Sequence, residues 1–176
     1  MNAASLLGRL LFALAWIPGH LPLAAQRWLG ALAGRFSHAR NLREAKVARR
    51  NLELIAPELS ADERERRVGE ILRATGSNTL ETLRVWTSSR AANLALVRGV
   101  HGQQLLRQAL EEGRGLILAA PHYGNWELLI DYMASLAPFS LVYRVPEKAA
   151  GDVFLRLARG RPNVQLVPSG ELMTAL

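Results

Sequence analysis

The strongest constraint on how this chain folds is a run of seventeen residues, Leu10 to Gln26, that contains no Asp, Glu, Lys or Arg but is interrupted by Pro18-Gly19 and again by Pro22. As a single helix it would reach roughly 25 Å, short of a hydrocarbon core about 30 Å thick. The prolines also predict a break or kink, because proline removes a helical N–H and crowds the turn before it. A second apolar stretch, Trp28 to Ala33, comes next. The pattern predicts one short, tilted membrane helix or a re-entrant or interfacial hairpin, with Trp16 and Trp28 suited to headgroup depth. A cleaved signal peptide and a hairpin buried in a soluble core are the competing readings. The basic sequence after the apolar run resists translocation and opposes the first of them. Residues 1–37 are therefore read as an anchor region and 38–176 as a separate domain.

Charge supports that division. The first fifty residues hold eight basic side chains against the single acid Glu44, whereas residues 51–176 hold fourteen of each sign. The whole excess of +7 thus lies beside the apolar run. A nucleic-acid-binding domain spreads its positive surface over the fold, so this placement predicts an anionic membrane and no nucleic acid. Six Lys/Arg in residues 35–50 put the downstream domain on the cytoplasmic side of that membrane. With 176 residues, 49% of them apolar, and a mean hydropathy of +0.05, the chain is neither disordered nor a polytopic membrane protein. The absence of cysteine excludes disulfides, thiolate zinc sites, iron–sulfur clusters and thiol nucleophiles.

The rest reads as helices followed by an α/β alternation. Residues 38–55 predict a helix ended by Pro57. Ser60 and Glu63 form a capping-box signature for a second helix to about Trp86, with Gly76–Asn78 allowed as a kink. Strands are expected at Leu94–Val100, Leu116–Ala120, Ser140–Val145 and Val164–Val167. The intervening helices are Gln103–Glu112, stopped by Gly113, Trp126–Leu136, capped by Asn125, and Gly151–Ala158. This βαβαβαβ order predicts an α/β fold with a mostly parallel sheet covered by helices. No GxGxxG, Walker loop or GxSxG elbow is present.

One segment carries candidate chemistry: Pro121-His122-Tyr123-Gly124-Asn125-Trp126-Glu127. His122 is placed just past the C-terminal end of an expected buried strand, where open α/β sheets bind ligands. Gly124 permits a tight turn that folds His122 and Glu127 toward each other. The carboxylate would then fix the imidazole tautomer, and the ring would act as a general base. Without thiol or serine elbow, direct attack by a substrate hydroxyl is the simplest reaction. The bland alternative is a helix-capping turn whose histidine packs and whose glutamate favours the helix dipole. His20, His38 and His101 lie in unlike segments and make no metal-ligand pattern, so neither metal nor cofactor is expected.

In company with Val47-Ala48-Arg49-Arg50-Asn51-Leu52, Asn78, Glu81, Gly99, Gly113-Arg114-Gly115-Leu116-Ile117-Leu118 and Val142-Tyr143-Arg144, this segment resembles the bacterial lipid A biosynthesis lauroyl/myristoyl acyltransferases, within the lysophospholipid-acyltransferase-like group. The resemblance implies that His122 and Glu127 are the family's H-x4-D/E dyad. It also implies an acyl-carrier-protein thioester as donor and a hydroxyl of a lipid A precursor as acceptor. Asn125, Tyr143, Arg144 and Arg161 are the implied substrate-binding residues, with Arg159 as a near alternative to Arg161. The turn Val145-Pro146-Glu147-Lys148 departs from the family's asparagine-proline turn after the tyrosine and arginine. Family members also continue past the equivalent of Leu176 with another strand, an acidic motif and closing helices. The chain therefore looks like a truncated member with an incomplete sheet and little activity alone. An acyltransferase acting on another glycolipid or phospholipid, and a catalytically inactive membrane-binding fragment, are the alternatives.

Overall fold

Proline sets the first corner. In the computed structural model, which describes residues 2–170, helix α1 (Ala3–Gly19) starts where Asn2 accepts from the Ser5 N–H, and it ends one residue after Pro18. Helix α2 (Leu23–Ala39) begins directly after Pro22, bent 110° from α1. Pro22 has no N–H to offer the Pro18 carbonyl. Buried Gln26 replaces it, its Nε2 donating to the carbonyls of Pro18 and Gly19 at 2.8 Å each. The expected break forms and gives a bent helix pair rather than one tilted helix, and no single helix among the described residues is long and apolar enough to cross a membrane.

The chain divides into two compact units, Met1–Thr87 with Pro146–Ala158, and Ser88–Val145 with Arg159–Leu176. The first contains α1, α2, α3 (Arg43–Ile55) and α4 (Ala61–Thr87). Its helix boundaries follow the sequence signals closely. Ser60 and Glu63 exchange the two hydrogen bonds of a capping box, at 3.1 and 3.3 Å. Between α2 and α3 the expected helix start at residue 38 is corrected: Asn41 takes φ 48° in a turn, and α2 continues through residue 37 to Ala39. Ala45, Ala48 and Leu52 of α3 bury against Val68 and Leu72 of α4 as a small apolar core.

Gly76 does not kink α4, which is a single helix of 27 residues. It permits close approach instead. A Cβ on Gly76 would stand 2.1 Å from the Gly30 carbonyl oxygen, and Cβ atoms on Gly30 and Gly34 would stand 2.3 and 2.2 Å from the carbonyl oxygens of Gly76 and Leu72. Helices α2 and α4 therefore meet backbone to backbone through a small-xxx-small face. On α1 the buried positions are likewise small, Gly8, Ala15 and Gly19, while Leu6, Leu7, Leu10, Leu11, Leu14, Trp16 and Ile17 are exposed.

The second unit departs from expectation. It contains α5 (Arg90–Leu94), α6 (Gln103–Glu111), α7 (Glu127–Leu136), β1 (Phe139–Tyr143) and β2 (Val164–Pro168). The chain between the two strands includes α8 (Ala149–Arg159), which belongs to the first unit except for its last residue. Strands β1 and β2 pair in parallel, Phe139 opposite Val164 and Tyr143 opposite Pro168. They are the only strands among the described residues, so the βαβαβαβ order is corrected to a mostly helical α/β chain with a two-stranded sheet. Ser89, whose hydroxyl accepts from the Ala92 N–H, turns the start of the expected Leu94–Val100 strand into the end of a capped helix. Leu116–Ala120 has the apolarity of a buried strand but no ladder partner among the described residues, and Ile117 is 94% exposed. Hydrophobicity permits a strand; only pairing of its N–H and C=O groups makes one. The helix expected to begin near Gly170 lies largely outside the described residues.

Two outcomes are expected for the first unit. Gly76→Ala should destabilise it by about 1–3 kcal/mol, by overpacking, although alanine is the better helix former. Reversible chemical denaturation measures this. Second, Arg49 holds the Glu65 carboxyl down to about 2 from the ordinary 4.5, mainly by hydrogen bonding; burial opposes the shift, and His38, at 3.2 Å, adds to it. This depressed value contributes stability above pH 4.5 that is lost as pH falls through about 2. The Glu65 side chain is 44% exposed, so Glu65→Gln should cost no more than about 1 kcal/mol at pH 7. That difference should vanish near pH 2 in the same titration.

Candidate active site

Gly124 provides the turn that the sequence requires of it. Its φ of +60° lies in the left-handed region, open to glycine at little cost. Just before it, the Tyr123 N–H donates to the Pro121 carbonyl at 2.8 Å. The chain then winds into α7 through Asn125 and Trp126, whose carbonyls accept from Leu128 and Leu129. Asn125 does not cap the helix as expected: α7 has no side-chain cap, and Asn125 Oδ1 is enclosed without a hydrogen-bond partner among the described residues.

His122 is exposed and stacks on the Trp126 indole, with ring centroids 5.0 Å apart and planes 17° from parallel. Glu127, in the first turn of α7, is 5% exposed. Among the described residues no hydrogen bond joins the two. Arg159 holds the Glu127 carboxylate instead, its Nε donating to the two oxygens at 3.0 and 3.2 Å and its Nη2 donating to Oε1. This is a fork of charge-assisted bonds in a largely water-excluded place, among the stronger polar contacts a protein makes. The same guanidinium lies over the Trp126 ring, 5.0 Å from its centroid. Trp126 thereby joins the imidazole to the ion pair. Sequence reasoning gave Trp126 no role, although its place between Asn125 and Glu127 was the available signal.

The other expected site residues are distributed unevenly. Tyr143 is buried at the end of β1 and Arg144 is exposed immediately after it. Arg161 is not at Glu127. Its Nη1 donates to the Ser88 carbonyl at 2.8 Å and its Nε is 3.5 Å from Asp131 Oδ1. Arg159, the alternative, is the arginine that meets the glutamate. Arg90, Asn93 and Asp131 form a further polar cluster in which the Asn93 amide donates to Asp131 Oδ2 at 2.6 Å. Nothing in their spacing along the chain announces it. Among the described residues no three His, Asp or Glu side chains converge as a metal-ligand set.

A family model described as bacterial lipid A biosynthesis acyltransferase matches residues 5–176. The chain is 30% identical over 131 residues to the lipid A biosynthesis palmitoleoyltransferase of Escherichia coli K12, covering 73% of this chain and 42% of that protein. It is 27% identical over 157 residues to the lipid A biosynthesis lauroyltransferase of the same organism, covering 89% and 51%. Identity to the lipid A biosynthesis acyltransferase of Haemophilus influenzae is 31% over 156 residues, covering 86% and 49%. The chain thus spans about half the length of these curated relatives. Matched over nearly its whole length, it belongs to the bacterial lipid A biosynthesis acyltransferase family.

Proposed function

We propose that this chain carries the general-base half of an acyltransferase that moves a fatty acyl group from an acyl-carrier-protein thioester to a hydroxyl of a lipid A precursor. The observation that carries the reading is an exposed His122 stacked on Trp126, directly before a buried Glu127–Arg159 pair, in a chain of this family. The His122 imidazole removes the hydroxyl proton as the oxygen attacks the thioester carbonyl. The C–S bond then breaks, the new ester is released, and the imidazolium returns its proton to the departing thiolate. Glu127 stabilises the imidazolium as the bound substrates close the site; catalytic hydrogen bonds often tighten only at that stage. Arg159 keeps the carboxylate aimed, taking the site position for which the resemblance offers Arg161 or Arg159. The exposed Arg144 is the group that meets substrate, Asn125, its Oδ1 enclosed, shapes the turn beside the dyad, and buried Tyr143 anchors the strand end just before Arg144.

The membrane reading rests on the first unit. Large apolar side chains of α1 and α2 face outward, including Leu10, Leu14, Trp16, Trp28, Leu32 and Phe36, while glycines face inward. A soluble hairpin would reverse that arrangement. We assign α1 and α2 to the cytoplasmic surface of the inner membrane, held by apolar contact and by the basic residues beyond them.

Two tests bear on this function. With acyl-carrier-protein thioester and a lipid A precursor, His122→Ala should lower turnover about 10²–10⁴-fold, and Glu127→Ala nearly as far, with circular dichroism unchanged. Equal turnover on a glycerophospholipid would move the acceptor class, and normal turnover by either variant would remove the dyad. In vesicle flotation, Leu10→Glu combined with Leu14→Glu should release the protein from anionic vesicles. Binding to those vesicles should weaken only in part at high salt, where screening removes just the electrostatic share. A parent protein that stays soluble beside them overturns the membrane assignment.

A further inference from the structure

We infer that Asp131 is a positioning residue for the Glu127–Arg159 pair, acting through Arg161 to hold residues 159–163 against α7; the inference rests on the acyltransferase reading of that pair. Glu127 and Asp131 stand four residues apart, hence on one face of α7, and both are buried. Arg159 and Arg161 stand two residues apart and meet those carboxylates in the same order along the helix. The result is two rungs, Glu127–Arg159 and Asp131–Arg161, between one helix and one short strap of chain.

The strap has no ladder of its own. Between the last residue of α8 and the first of β2, backbone bonds hold its two ends, the Arg161 N–H donating to the Arg159 carbonyl and the Asn163 carbonyl accepting from the Phe139 N–H; side-chain ties hold the rest, and Asn163 takes φ 68°, in the left-handed region. Arg90 Nη2 donates to the Pro162 carbonyl. The Asn163 amide donates to the Ala134 carbonyl at 3.1 Å, near the end of α7. Asp131 is the charge at the centre of these ties: its Oδ1 lies 3.5 Å from Arg161 Nε and 3.7 Å from Arg90 Nε, and its Oδ2 accepts from Asn93. Two guanidiniums, largely withdrawn from water, share this carboxylate. Neutralising it takes from both the negative charge that offsets their burial, and the resulting cost favours swinging the strap out toward solvent. Arg159 would leave Glu127 with it. A buried ion cluster is weak evidence of stability, since apolar groups of equal volume often serve as well. What it supplies is a fixed geometry, and the geometry fixed here is that of the arginine on Glu127, the carboxylate partner of His122.

Asp131→Asn keeps the volume and removes the charge, and two measurements are made on it. In acyl transfer, kcat should fall about 10-fold with KM for both substrates unchanged, while in an Arg159→Ala background the same change should cost nothing further. Independent losses in the two backgrounds, or an unchanged kcat, overturn the inference. By nitrogen-15 NMR, hydrogen exchange at Arg159 Nε should quicken about 10-fold in the variant, because the protecting ion pair opens more often. Unchanged exchange overturns the inference whatever the activity. If His122→Ala leaves the parent's turnover unchanged yet exchange quickens in Asp131→Asn, the proposed function fails and the positioning role of Asp131 stands. Should Asp131→Asn fail to fold, Arg161→Gln, which leaves Asp131 beside Arg90, is expected to give the same two results and is overturned by the same observations.

Discussion

The backbone-to-backbone contact of α2 with α4 is the constraint on which the first unit depends. Gly30, Gly34 and Gly76 leave no room for side chains between the helices, so the hairpin uses its small residues inward. The same economy applies on α1, where Gly8 would clash with the Ala150 carbonyl oxygen and Val153 if it carried a Cβ, and where Gly19 approaches Leu83 and Thr87. Once small residues occupy the inner face, the leucines and tryptophans have only the outer one. That inversion of the usual soluble pattern supports the proposed placement of the hairpin against lipid. Gln26 completes the corner by donating to the Pro18 carbonyl, to which Pro22 has no N–H to give, and to the Gly19 carbonyl, so the turn is closed without an orphaned backbone acceptor at either.

The second unit uses charge where the first uses close packing. Its sheet is only two strands wide among the described residues, and its fixed points are polar: Glu127 with Arg159, Asp131 with Arg90, Arg161 and Asn93, and Asn163 with the end of α7. Such ties are directional, unlike apolar contact, and a carboxylate gripped by a guanidinium fork has little freedom to rotate. That is a suitable foundation for the general-base role proposed for His122. Trp126 adds a second means of placement, since one ring meets both the imidazole and the arginine.

Local chemistry made much of this legible. Pro18 and Pro22 announced the corner, Ser60 and Glu63 the start of α4, and Gly113, at φ +67°, the stop after α6. The H-x4-E segment with Gly124 marked the candidate site, and the surrounding motifs marked the family. Each of these signals lies within a few residues of its effect. Misreadings arose where the outcome depended on a distant partner. Leu116–Ala120 looked like a strand because it is apolar, yet a strand exists only through pairing. Gly76 looked like a kink because its contact, Gly30, lies far away along the chain; Leu94–Val100 is the local exception, its first residue lost to a helix capped by Ser89.

The sequence by itself therefore determined the proline corner and its basic flank, the order and ends of most helices, the places of β1 and β2, and the residues that carry the family's motif. Only the tertiary structure decided that Arg159 rather than Arg161 meets Glu127, that His122 rests on Trp126, and that Asp131 gathers two arginines. Caps, prolines and turns are local energies, settled by neighbours along the chain. Which of two arginines reaches a carboxylate thirty-two residues away is settled by the path of the intervening chain and by what else each guanidinium can hold, and neither is written at the arginine itself.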